Sequence, residues 1–337
     1  MKNQFRRAAA AFAFGLAALG VVPAQAGYTS LTVFGDSLSD TGNIFLSTGG
    51  AIPAAPYFSG RFSDGPIWID TLAGGLGLPA GAVPALLPGA GGANYAFGGA
   101  RTGTASSPPG LLAQYGGLWL PANPGGADPN GLYVVVGGGN DMRDARSAFT
   151  GTSSADQAGR QSAAAAAANN IFNLVAALAS TGARHVLIST LPDLGTTPEA
   201  ALLGLTAASS DATARYNLLV KGIEAVAEAA FSGLDVITFD MAAIAAAVRN
   251  DALNNGGAVF GITNATMPCG TFIGSTGISC AVSVFSDALH PSSALHKIIG
   301  AAALQAVPAP GTLALAAVSL LLLAGVASRR RLPGLSR

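Results

Sequence analysis

Four short apolar runs, 31–34, Leu132–Val136, His185–Ser189 and 236–239, recur along the chain, each followed by a stretch long enough to hold a helix and return. Runs this apolar, rich in Val, Ile and Leu, lack the polar-apolar alternation of a strand with one wet face. They fit strands covered on both sides. Helical patterns fill the intervals at 65–76, Ser154–Ser180 with its alanine run, 207–230 and 292–303. This alternation predicts an α/β fold, a central parallel sheet covered by helices on both faces. Residues 77–93 and 103–131, rich in Gly, Pro and Ala, are expected to be surface loops, and no internal repeat is visible.

Charge divides the chain into three parts. The 17 basic and 17 acidic residues balance, but seven of the basic ones sit at the two ends, so residues 27–306 carry 10 basic against 17 acidic residues, a net of −7. With only 10% charged residues and no basic patch in the middle, a nucleic-acid binder is excluded. Residues 1–26 begin with Lys2, Arg6 and Arg7, continue apolar, and end in Pro23-Ala24-Gln25-Ala26, which reads as a secretory signal cut after Ala26. Residues 312–328 carry no charge and precede Arg329-Arg330-Arg331, a pattern able to span a bilayer with the arginines cytoplasmic. The stretch Val307-Pro308-Ala309-Pro310-Gly311-Thr312-Leu313 with its following helix and arginines resembles the PEP-CTERM sorting tail of Gram-negative bacteria, with Ala309 where that signature has glutamate. The resemblance implies a membrane sorting enzyme as a partner besides the export machinery. Three parts follow: a signal (1–26), an exported domain (27–306) and a sorting tail (307–337). The expected location is the periplasm, envelope or exterior, with a membrane anchor through 312–328. In an oxidising compartment the local pair Cys269 and Cys280 is expected to form a disulfide.

Parallel sheets carry their chemistry at the C-terminal ends of strands. The first strand runs into Gly35-Asp36-Ser37-Leu38-Ser39-Asp40, where glycine allows a sharp turn and the serine begins a helical turn. A serine hydroxyl becomes a nucleophile when an imidazole takes its proton and a carboxylate orients the imidazole. Asp287-Ala288-Leu289-His290-Pro291 supplies both on one tight turn, unlike His185 or His296, which lack a local acid partner. Acyl transfer also needs donors for an oxyanion. Asn94-Tyr95-Ala96-Phe97-Gly98-Gly99-Ala100 and Gly137-Gly138-Gly139-Asn140 offer the Gly99 N–H and the Asn140 amide, beside the N–H of Ser37. No Lys-Ser or Lys-Thr follows the glycine triplet, so it is no phosphate loop.

Together these four stretches, in this order, resemble the GDSL or SGNH esterase and lipase family, over nearly all of residues 28–303. The resemblance implies a flavodoxin-like three-layer α/β/α sandwich. It assigns Ser37 as nucleophile, His290 as base and Asp287 as its orienting acid, with Ser37, Gly99 and Asn140 forming the oxyanion hole and no metal or cofactor. Two further stretches, Gly60-Arg61-Phe62-Ser63-Asp64-Gly65-Pro66-Ile67-Trp68 and Leu191-Pro192-Asp193-Leu194-Gly195-Thr196-Thr197-Pro198, look like the longer branch that includes secreted lecithinase- or haemolysin-like lipases, autotransporter esterases and plant enzymes. The expected activity is hydrolysis of carboxylic esters, whether of lipids, small acyl esters or acetylated glycans. Deacetylation of an exported polysaccharide is an alternative within catalysis, and a non-catalytic envelope or biofilm-matrix protein is the alternative outside it. Phe97 and Leu118-Trp119-Leu120 fit either the mouth of an acyl pocket or, equally, ordinary core or loop packing.

Overall fold

The computed structural model describes residues 27–307. The expected signal (1–26), membrane span (312–328) and sorting tail (307–337) lie outside the described residues, apart from Val307 of the tail. Four strands, β1 (Leu31–Gly35), β2 (Leu132–Val136), β3 (His185–Ser189) and β4 (Asp235–Phe239), form one all-parallel sheet in the order β1-β2-β3-β4. Their register pairs Leu31 with Leu132, Leu132 with His185, and His185 with Asp235, so all four strands end together. Along the free edge of β1 the chain at 93–97 runs parallel to it. Val33 N–H donates to Ala93 O, Tyr95 N–H to Val33 O and Phe97 N–H to Gly35 O. With that edge counted, the order across the sheet is second, first, third, fourth, fifth, the flavodoxin-like arrangement. The crevice of such a sheet opens where successive connections leave β1 in opposite directions, at its C-terminal end.

Both faces are covered, which is why the strands are apolar throughout. Phe34, Val135, Val186 and Ile188 point into one core with Ile171, Leu174 and Leu178 of α4 (Ser154–Ser180) and Tyr216 of α6 (Thr206–Val220). On the other face α2 (Trp68–Leu76) packs against α9 (Ser293–Ala306), and Trp68 stacks on Phe239 of β4 with ring centroids 6.1 Å apart. The remaining helices are α1 (Asn43–Ser47), α3 (Gly139–Ala148), α5 (Pro198–Leu202), α7 (Ile223–Ala230) and α8 (Met241–Asn254). A second, two-stranded parallel sheet joins β5 (Asn264–Pro268) to β6 (Ser283–Phe285).

Two expectations need correction. The stretch 207–230 is two helices, because the turn at Lys221-Gly222 redirects the chain toward β4, and glycine is a weak helix former. The stretch 103–131 is not merely a surface loop. Residues 111–122 are helical, with a π-helical middle over Gln114–Trp119, and Leu111, Gln114, Tyr115 and Trp119 are buried. Phe97 and Trp119 therefore belong to the core around Phe34, with Leu118 packed against it, and none of Phe97, Leu118, Trp119 and Leu120 lines the cleft beside Ser37. Apolar composition could not separate a pocket wall from a core.

Candidate active site

The turn after β1 is held from three sides. Gln114, fully buried, brackets Gly35 with two hydrogen bonds: Gly35 N–H donates to its Oε1 (2.9 Å) and its Nε2 donates to Gly35 O (2.8 Å). At Gly35 itself an added Cβ would stand 2.7 Å from Val136 O, so only glycine lets the turn lie this close to β2. Asp36 Oδ1 then accepts the Leu38 N–H at 3.0 Å, which leaves Ser37 at the apex, 8% exposed. Burial pushes Asp36 up to about 6, only partly offset by that hydrogen bond and by His290.

Asp40 ties this turn to a second one. Its carboxylate accepts the N–H groups of Gly42, Asn43, Ile44 and, at 2.8 Å, Gly98. Burial nonetheless raises its carboxyl to about 6. The second turn, closed by Ala100 N–H to Phe97 O at 3.1 Å, places Gly99 at φ 79°, a conformation that favours glycine. Asn140, in the first turn of α3, donates from Nδ2 to Ala100 O at 2.9 Å, and its Oδ1 accepts from Arg143 at 3.2 Å. That leaves the second Nδ2 hydrogen uncommitted. Among the described residues the N–H groups of Ser37 and Gly99 also donate to no protein group. Ser37, Asn140 and His290 line one cleft, whereas Gly99 is not in its wall and enters through the turn that Asn140 binds.

The turn at 286–291 presents the imidazole. Ser286 N–H donates to His290 O at 2.9 Å, closing the loop, and Asp287 Oδ1 accepts the N–H groups of Leu289 (2.7 Å) and His290 (2.5 Å). With its backbone so fixed, His290 reaches both ways: Nε2 lies 2.9 Å from Ser37 Oγ and Nδ1 lies 2.7 Å from Asp287 Oδ2. Burial opposes ionisation of Asp287, but the His290 charge and the hydrogen bonds it accepts outweigh this and hold it well below the usual carboxylate range. The other two histidines are elsewhere. His185 begins β3 beside Asp235, and His296 is buried under α2, where burial brings it down to about 3 and keeps it neutral.

Sequence reasoning missed two groups here. Tyr57 donates its hydroxyl to Asp287 Oδ2 at 2.5 Å, the same oxygen that meets His290. Its ring packs edge-on against Phe62 (5.8 Å) and Phe272 (4.9 Å), and Phe62 in turn lies 5.1 Å from the His290 ring. Burial, then the hydrogen bond to Asp287, raises its phenol above the ordinary range. Gln114 is the other. Neither lies within a recognisable motif of catalytic residues, and both act from distant parts of the chain.

Asp64 anchors α9 through Ser293 N–H (2.8 Å) and Oγ (2.7 Å), so the Gly60–Pro66 stretch braces the helix that follows His290. Cys269 and Cys280 are disulfide-bonded, with Cα atoms 4.9 Å apart, and the loop they close carries Phe272 against Tyr57. Asp64, Cys269 and Cys280 form the one cluster of potential metal ligands among the described residues, but both sulfurs are committed to the disulfide. The cleft, about 270 Å³, is lined by the Leu191-Pro192-Asp193-Leu194 stretch and by Val284, Phe285 and Leu289. A nucleophile, a base, an acid and uncommitted donors beside an apolar cleft are the parts needed for acyl transfer.

The family model described as GDSL-like lipase/acylhydrolase matches residues 31–303. The chain is similar to a phosphatidylcholine-sterol acyltransferase of Aeromonas hydrophila, 29% identical over 224 residues, covering 61% of this chain and 58% of that protein. It is also similar to esterase EstA of Pseudomonas aeruginosa, 31% identical over 216 residues, covering 54% of this chain and 32% of that one. The chain thus spans little more than half the length of the first relative and a third of the second. Among solved structures it is similar to the acetylxylan esterase Axe2 of Geobacillus stearothermophilus, with 14% identity, a TM-score of 0.45 and coverage of 84% of this chain and 96% of that one.

Proposed function

The chain belongs to the GDSL-like lipase/acylhydrolase family, and from that premise we propose that it is a serine hydrolase of carboxylic esters. The reading is carried by one observation: His290 bridges Ser37 Oγ (2.9 Å) and Asp287 Oδ2 (2.7 Å), and Ser37 and His290 line one cleft. In the proposed reaction Ser37 Oγ attacks the ester carbonyl while its proton passes to His290 Nε2. The carbonyl oxygen, now an anion, accepts from the N–H groups of Ser37 and Gly99 and from Asn140 Nδ2. Collapse breaks the bond to the alcohol, which leaves with the proton from His290. Water, losing its proton to His290, then attacks the acyl-Ser37, and the acid departs as Ser37 recovers its proton. Asp287 stays ionised throughout, fixing the Nδ1–H tautomer and stabilising the imidazolium. Tyr57 and Asp40 act as positioning residues, the first on Asp287 and the second on the Gly98-Gly99 turn.

The test is hydrolysis of p-nitrophenyl butyrate. Ser37→Ala is expected to lower kcat at least 10³-fold without loss of thermal stability, and a Ser37→Ala protein as active as the parent would refute the nucleophile.

The proposal extends to location. The pattern of residues 1–26 supports export, and a disulfide between Cys269 and Cys280 fits an oxidising compartment. On this reading the tail 307–337 delivers residues 27–306 to a membrane sorting enzyme, and mass spectrometry of the envelope-extracted protein reads whether a peptide containing Arg329 to Arg331 remains.

A further inference from the structure

Eight arginines lie among the described residues, and seven of them bond to protein groups: six to carboxylates and Arg184 to the Ser232 carbonyl. Arg249 is the exception. Among the described residues it makes no hydrogen bond or ion pair, and its Nε is shielded from solvent without a partner. Its position is equally distinctive, because it lines the same cleft as Ser37 and His290.

The helix explains how it arrives there. Ala242, Ala245, Ala246 and Arg249 of α8 follow one another at spacings of three and four and face the cleft together. The alanines leave space beside the helix start, and Arg249 stands about 10 Å further along it than Ala242. Asn250 and Asn254 line the same wall and offer further hydrogen-bond donors. Arg143, the other cleft arginine, is already held by Glu199 at 2.5 Å and by Asn140.

A half-buried guanidinium loses hydration, and no partner among the described residues offsets that loss. In a domain where every other arginine has a partner and the net charge is −7, a lone cation inside the cleft selects a ligand rather than providing general attraction. Its planar fork suits a bidentate oxyanion. The neighbouring Leu191, Leu194, Val284, Phe285 and Leu289 suit an acyl group.

We propose that Arg249 anchors a subsite for a phosphate carried on the alcohol portion of an acyl ester, so that the cleft prefers acyl esters of phosphorylated alcohols over neutral esters. The inference rests on the hydrolase reading of Ser37 and His290 and names the substrate class of that site.

Two measurements test it. Monobutyrylglycerol phosphate and monobutyrylglycerol present the same ester with and without the anion. The parent protein is expected to favour the phosphate by 10- to 100-fold in kcat/KM, Arg249→Gln to bring that ratio close to one, and Arg249→Lys to retain part of it. Equal kcat/KM for the two esters in the parent, or a preference unchanged in Arg249→Gln, overturns the subsite. Calorimetry with glycerol 1-phosphate reads the same subsite without turnover: binding to the parent and at least tenfold weaker binding to Arg249→Gln supports it even if neither ester is cleaved, whereas equal binding to both proteins, or none to the parent, overturns it. Absence of ester cleavage together with Arg249-dependent phosphate binding would therefore count against the hydrolase reading alone.

Discussion

Replacing Tyr57 with phenylalanine removes one hydrogen bond to Asp287 and almost nothing else. The ring keeps its packing against Phe62 and Phe272, and no buried donor is left behind. Asp287 retains three of its four hydrogen bonds, two from the backbone of Leu289 and His290 and one with the His290 ring. A hydrogen bond to a charged group contributes about 1.5–3 kcal/mol, which would correspond to roughly 10- to 150-fold in rate if lost entirely from the transition state. Because the backbone donors still hold the carboxylate, the expected loss in kcat/KM lies at the lower end, about tenfold. Tyr57 and His290 share Oδ2, so losing the phenol leaves more of that oxygen's charge to the imidazolium. The acid limb of the pH–rate profile should accordingly move to higher pH. Stability should change with pH in two places. The depressed carboxyl of Asp287 contributes stability that is present above the ordinary carboxylate range and lost as pH falls through its folded value. Part of that contribution disappears in the variant, so acid unfolding should begin at a higher pH. The raised phenol of Tyr57 contributes stability below about pH 10 that is lost as pH rises further, and the variant lacks it. Stopped-flow hydrolysis across pH, with urea titrations at the same pH values, reads all of these. A variant with unchanged kcat/KM and an unmoved pH profile, but lower stability, would show that the Tyr57 hydrogen bond serves stability alone.

Further outcomes concern the loops that hold the site. Replacing both Cys269 and Cys280 with serine opens a loop spanning 11 positions in sequence, and loop-closure entropy puts the loss at about 2.8 kcal/mol; thermal denaturation should show a midpoint lower by roughly 5 °C, and an unchanged midpoint would mean that the surrounding contacts hold the loop without the bond. Gly99→Ala meets no clash, since the new Cβ would touch only Pro108 Cγ at 3.5 Å, but the residue sits at φ 79°; relaxation of the turn should misdirect its N–H and lower kcat by about tenfold or more with KM nearly unchanged, and full kcat would remove Gly99 from the oxyanion hole.

Legibility in the sequence followed the range of the interactions involved. The strands could be read because burial on both faces makes them continuously apolar, and β2 and β3 fall at Leu132–Val136 and His185–Ser189 as the pattern predicts. The turns carrying Ser37 and His290 could also be read, since each is built from local chemistry: glycine at a close approach, an Asp-to-backbone turn, and a histidine three residues from its acid. Ser154–Ser180, also alanine-rich, falls where the pattern predicts, but a second helix of this kind was not legible. Met241–Asn254, with its long alanine-rich face, has an amphipathic pattern too weak to mark its boundaries or its role in the cleft.

What the chain order could not contain is which distant groups meet. Gln114 on Gly35, Asp40 on Gly98, and Tyr57 on Asp287 join segments 79, 58 and 230 positions apart. Each partner is an ordinary residue in its own neighbourhood, and it gains its role only when the fold gathers these segments at the C-terminal end of β1. The same holds for Arg249, an unexceptional helix arginine in sequence, whose lack of a partner among the described residues becomes visible only beside the other seven described arginines, each of which has one. Local backbone chemistry determines which side chains the strand ends present; the packing of helices over the sheet decides which of them share a cleft, because burial and pairing are properties of neighbours in space.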